Sequence, residues 1–99
     1  MTSTPQPAGT WSEQADASHD FLRAGRRYRV TSAFVDYDRD LHPVGETWFF
    51  LGASFLPYDD GVSLFVSFDE GQEWQIRLQW RPEEQGHILD ALADYLAEL

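Results

Sequence analysis

The chain has 99 residues, 17 acidic and 7 basic, with a formal charge of −10 and a pI near 4.4. It has no cysteine, and all seven basic residues are arginine. This length predicts one domain, the missing cysteine excludes a disulfide scaffold, a zinc-thiolate site and a thiol nucleophile, and the negative charge argues against nucleic acid.

No stretch approaches the roughly 18 apolar residues of a membrane span. Residues 1–9 lack the basic start and apolar run of a secretion signal. The expectation is a cytoplasmic domain with no membrane contact and no cofactor. Aromatic residues make up 15% of the chain. Each can remove roughly 150–250 Å² from water, enough to stabilise a domain this small.

Residues 1–17 hold Thr, Ser, Pro, Gln, Ala and Gly with one aromatic, Trp11, and are expected to form a disordered tail. Residues 18–99 form the compact domain. Residues 18–22 read as one helical turn, capped by Ser18 and ended by Gly25. From Arg26 the period changes to two: Tyr28, Val30, Ser32 and Phe34 on one face, Arg27, Arg29 and Thr31 on the other. A polar loop from Asp36 to Pro43 follows, closed by Gly45.

Residues 46–56 form a strand apolar on both faces. Trp48, Phe50 and Leu56 lie on one side, and Phe49, Leu51, Ala53 and Phe55 on the other. Gly52 in its middle predicts a bulge or bend. A turn at residues 57–61 leads to a third strand with Val62, Leu64, Val66 and Phe68 inward. After a turn at residues 69–72, a fourth strand points Trp74, Ile76, Leu78 and Trp80 inward and Gln75, Arg77 and Gln79 outward. Pro82 then suits the first turn of a helix. Its apolar stripe is Ile88, Leu89, Leu92, Tyr95, Leu96 and Leu99. The predicted fold is α+β: a four-stranded antiparallel meander curled into a partly open SH3-like barrel, followed by a C-terminal helix.

Asp36, Asp38, Asp40 and His42 alternate through the first loop, as carboxylates do at the start of a calcium loop. Leu41 and Thr47 stand where an EF-hand needs glycine and a carboxylate, so Asx-type turns are the better account. Asp59 and Asp60 beside Tyr58 suit a hairpin tip rather than an acid–base pair. The three histidines have no local metal-ligand spacing, no serine lies in a nucleophile elbow, and no glycine-rich phosphate loop occurs. Catalysis is therefore not expected.

Charge is uneven along the chain. Residues 21–35 carry four arginines and no acid, residues 36–60 carry six acids against Arg39, and residues 82–99 carry five acids and no arginine. This separation predicts either internal pairing or a dipolar surface that orients a partner. Phe49, Leu51, Phe55 and Phe65 also need cover, from a second small core or from an interface.

The stretch Ala33-Phe34-Val35-Asp36-Tyr37-Asp38 resembles the Ala-Leu-Tyr-Asp-Tyr segment of SH3 domains. It departs at Val35, lacks a tandem tryptophan pair, and ends in no Pro-x-x-Tyr strand, so it implies a barrel more than proline-peptide binding. A second resemblance spans residues 21–96. It is carried by Tyr28-Arg29-Val30, Phe34-x-Asp36-Tyr37-Asp38, His42-Pro43-x-Gly45-Glu46-x-Trp48, Phe55-Leu56-Pro57-Tyr58-Asp59-Asp60-Gly61 and Trp74-x-Ile76-Arg77-Leu78-Gln79-Trp80. This pattern resembles a family of small bacterial proteins classed as a domain of unknown function. It implies a stand-alone cytoplasmic domain and transfers no catalytic residue.

The sequence thus points to a non-enzymatic protein-interaction module with a basic partner. Its candidate surface is Asp36, Tyr37, Asp38, His42, Glu46, Tyr58, Asp59 and Asp60. The alternative is a small-ligand or metal site, hydrolytic in one version, built from Asp36, His42, Glu46 and Asp59. A homodimer that hides the aromatic surplus is a third reading.

Overall fold

The computed structural model describes residues 6–7, 16–56, 60–68 and 72–99. Most of the expected tail, residues 57–59 of the first expected turn (57–61) and residues 69–71 of the second (69–72) lie outside the described residues.

The strands are β1 (Gln6–Pro7), β2 (Ser18–His19), β3 (Leu22–Arg23), β4 (Arg27–Val30), β5 (Phe34–Val35), β6 (Leu41–His42), β7 (Thr47–Leu56), β8 (Gly61–Ser67), β9 (Gln72–Gln79) and β10 (Leu96–Glu98). Among the described residues, six of them form one sheet in the order β1-β9-β8-β7-β4-β10, with antiparallel neighbours, and β2-β3 and β5-β6 form two small ladders. The four core strands β4, β7, β8 and β9 are neighbours in chain order, but the first of them ends at Val30 and Phe34 lies in the separate β5. The expected fold class is overturned: among the described residues the sheet does not close into a barrel, and the chain is mostly β rather than α+β.

The predicted C-terminal helix is also absent. A single turn, α1 (Gly86–Leu89), precedes a 3₁₀ turn at Leu92–Asp94, and the chain then enters β10. Two physical causes outweigh the apolar stripe. First, residues 81–86 close tightly on β9. The Arg81 carbonyl accepts the N–H groups of Glu84 and Gly86, and Gln85 exchanges backbone and side-chain bonds with Gln79. Gly86 is needed there, because a Cβ would sit 2.8 Å from the Arg81 carbonyl oxygen. Second, β4 would otherwise be an open edge with unpaired N–H and C=O groups. β10 pairs Leu96, Ala97 and Glu98 with Val30, Arg29 and Tyr28. The N–H of Leu99 extends the ladder to Arg27, and the Tyr95 carbonyl extends it to Thr31. Leu92 and Leu96 still reach the core while Leu99 stays exposed.

The expected helical turn at residues 18–22 is instead the β2-β3 hairpin, which pairs His19 with Leu22. Asp20 takes φ 54 in its two-residue turn, a conformation that Asp tolerates better than most side chains.

The β7 bulge occurs where Gly52 predicted it, with a register shift between Phe50 and Gly52. It has a consequence for the faces. The extra residue flips the alternation, so Ala53 joins Trp48 and Phe50 on the core side. The core gathers Tyr28, Val30, Trp48, Phe50, Ala53, Val62, Leu64, Val66, Ile76 and Leu78 from the sheet, beneath Leu22, Phe34, Ile88, Leu89, Leu92 and Leu96.

Three inward assignments change. Trp80 is 41% exposed, Phe68 lies beyond the end of β8 and is also exposed, and Trp74 is only half-buried. Of the aromatics in need of cover, Phe65 is buried, while Phe49 and Phe55 are exposed. Arg27, directly across the ladder from Phe49, lays its guanidinium 5.7 Å from that ring's centre.

Candidate functional site

The first polar loop folds around its own side chains. Asp36 follows β5 and is buried; its Oδ1 accepts the N–H groups of Asp38 (2.9 Å) and Asp40 (3.0 Å). The first of these bonds is the Asx turn that the alternating aspartates suggest. Arg39 takes φ 71 at the tip, and the loop returns through β6. A turn through Pro43 and Gly45 (φ 98) then brings Glu46 back over His42.

This geometry places a carboxylate at each nitrogen of the His42 ring. Nε2 lies 2.8 Å from Asp36 Oδ2, and Nδ1 lies 2.6 Å from Glu46 Oε2. Trp48, two residues along β7, donates its indole N–H to the same Glu46 oxygen at 3.2 Å. Phe34 stacks on the imidazole with ring centres 4.8 Å apart and planes within 22°. His42 itself is 7% exposed. Both contacts are short, and each ring nitrogen faces a carboxylate oxygen.

The chemistry of this cluster follows from its closure. A general base needs one ring nitrogen open toward a substrate, and a metal needs an unshared lone pair. His42 offers neither. Among the described residues no group of three or more His, Asp or Glu side chains is arranged to hold a metal ion. Asp59, the fourth member of the alternative site, lies outside the described residues.

The remaining candidates divide between two places. Tyr37 and Asp38 turn outward onto β9. The Tyr37 N–H donates to the Arg77 carbonyl at 2.8 Å, and its ring lies 5.7 Å from the Arg77 guanidinium. Asp38 takes a two-pronged contact from Arg77, with Nε–H to Oδ2 at 3.0 Å and the second prong to Oδ1. That contact holds the Asp38 carboxyl below its usual range against a smaller opposing effect of burial, and raises Arg77. Asp60 takes φ 52 at the other loop and faces Arg81, with Nε 3.4 Å from its carboxylate. Tyr58 lies outside the described residues, as Asp59 does.

A shallow pocket of about 330 Å³ joins these places. Ser63, Gln75, Arg77 and Gln79 line its floor, with Tyr37 beside Arg77 and Gly61, next to Asp60, across the ladder from Gln79. Ser63 accepts from the Gln75 amide at 2.7 Å, while Gln79 Oε1 is enclosed with no hydrogen-bond partner among the described residues. These floor residues were visible in the sequence only as outward-facing polar positions. Nothing in their spacing marks the pocket, because Tyr37 reaches it from a loop about 40 positions away.

Comparison with known proteins supports the family resemblance at the coarse level, without confirming its particular motifs or the SH3-like segment. A family described as "Domain of unknown function (DUF3601)" matches residues 11–99. The chain belongs to this family. Its fold is shared with a solved integron cassette protein from the mobile metagenome of Vibrio cholerae, with a TM-score of 0.86 and 36% identity over 92% of this chain and 100% of that one. No curated protein matches. Family membership carries no catalytic assignment, so the geometry alone bears on function. No helix among the described residues is long and apolar enough to cross a membrane.

Proposed function

We propose that this member of the family is a non-enzymatic protein-interaction module, and that its contact surface is the pocket between the two acidic loops. The observation that carries this reading is the division of labour in the first loop. Asp36, His42 and Glu46 are closed on one another, while Tyr37, next in the chain, faces outward at the mouth of the pocket. The buried cluster fixes the loop, and the loop presents Tyr37. A rigid aromatic beside hydrogen-bonding floor residues is a common form of interface anchor. The net charge of −10 favours a basic partner.

The test is a hydrogen-exchange footprint of the complex captured from the native host. Slowed exchange at residues 36–38, 61–63 and 75–79 is the expected result. A footprint confined to β10, the outer strand on that side of the sheet, would replace this surface with the homodimer or edge-pairing reading.

A further inference from the structure

At the end of the sheet near Asp60, three aromatic side chains meet at a corner. Phe55 stands edge-on to Trp80, with ring centres 6.1 Å apart and planes at 80°. His19, from the β2-β3 hairpin, stands edge-on from another element at 6.4 Å and 72°. The indole N–H of Trp80 is held by Asp90 Oδ1 at 2.8 Å, which fixes the ring. Phe55 is 47% exposed and Trp80 41%, so both keep large areas open to solvent.

The charges around this corner are mostly negative. Asp16 and Asp20 act on His19 closely enough to favour its charged form, and Asp90 lies against Trp80. Two cations lie nearby: Arg81 turns to Asp60, and Arg23 donates to the Asp20 carbonyl oxygen at 2.8 Å. Burial outweighs the two aspartates and lowers the His19 pKa, disfavouring the charged imidazole. The rest of the molecule supplies a contrast. Two other exposed aromatics, Phe49 and Tyr37, each have one of the chain's own arginines 5.7 Å from the ring centre. Among the described residues, no arginine occupies such a position at Phe55 or Trp80.

We infer that the corner formed by His19, Phe55 and Trp80 receives an arginine side chain from a basic peptide segment of a partner protein. A guanidinium is attracted to aromatic faces and stacks flat against them. Asp16, Asp20 and Asp90 supply the complementary charge. This site is separate from the Tyr37 pocket, so the two stand or fall independently.

The probe is an unstructured synthetic peptide of alternating arginine and glycine, with a citrulline–glycine peptide as its neutral control. Titration is followed by calorimetry and by the indole N–H signals of the four tryptophans. The Trp80 signal is assigned by its loss in Trp80→Phe. The expected result is saturable binding of the arginine peptide, a shift of the Trp80 signal, and loss of affinity by about tenfold or more in Phe55→Ser and Trp80→Leu. Tyr37→Ala leaves the peptide's affinity unchanged, which separates this site from the proposed contact pocket. Unchanged melting of the native protein and the two corner variants confirms that the loss is local. Equal binding of the citrulline peptide, an unmoved Trp80 signal, or full affinity in Trp80→Leu would overturn the inference.

Discussion

At the residue scale, His42 is the side chain with the most riding on it. Replacing it by alanine leaves two carboxylates without their shared partner, one of them fully enclosed. Breaking a buried pair in this way costs about 3–5 kcal/mol, far more than an exposed ion pair contributes. Denaturant unfolding of His42→Ala should show a loss in that range. A loss below about 1 kcal/mol would mean that the carboxylates find other partners. Asp38 shows the milder case. Its folded carboxyl lies below the ordinary value of 3.8 because Arg77 bonds to it. A depressed carboxylate contributes stability above its unfolded value and loses it as the pH falls through the folded one. The stability gap between the native protein and Asp38→Asn should therefore be small but present at pH 7, since the pair is partly exposed, and should close below about pH 3.8. His19 gives a slope of the same sign at higher pH. Burial lowers its folded pKa, so the unfolded chain takes up that proton first, and stability falls as the pH drops through 6.5.

At the element scale, the C-terminal segment shows where pattern and structure part. Ile88, Leu89, Leu92 and Leu96 recur at helical spacing, and all four are buried. The period was informative about burial and misleading about conformation. A stripe says which residues face inward, whereas the choice between helix and strand was made by the open edge of β4 and the tight closure over Arg81. Neither is local in sequence. Two substitutions check this account. Gly86→Ala places a methyl against a backbone carbonyl that cannot easily move, and should destabilise by about 1–3 kcal/mol. In a regular helix the same change would stabilise instead. Leu96→Ala should cost about 2–5 kcal/mol, while Leu99→Ala, in a helical stripe an equal partner, should change stability by less than about 0.5 kcal/mol. The β7 bulge marks the opposite case. Gly52 announced it from sequence, and only the parity flip behind it, which turns Ala53 inward, needed the structure.

At the scale of the whole molecule, the candidate site was legible in part. Asp36, His42 and Glu46 could be picked out as unusual polar positions, and the structure brings all three within hydrogen-bond reach. Their burial was not legible, because it depends on Phe34 stacking from β5 and Trp48 donating from β7. The charge map was read correctly as uneven, but its pairing crosses the fold: Arg26 meets Glu98, Arg39 meets Glu84, Arg77 meets Asp38 and Arg81 meets Asp60. Asp36, His42 and Glu46 thus hold a loop, and the proposed contact surface is what that loop displays. The most direct test compares partner capture by three folded proteins, each held well below its melting temperature: native, His42→Asn, and Tyr37→Ala combined with Gln75→Ala. His42→Asn should retain capture despite its lower stability, and the double variant should lose capture at near-native stability. Loss in folded His42→Asn together with full capture by the double variant would contradict the proposed contact surface.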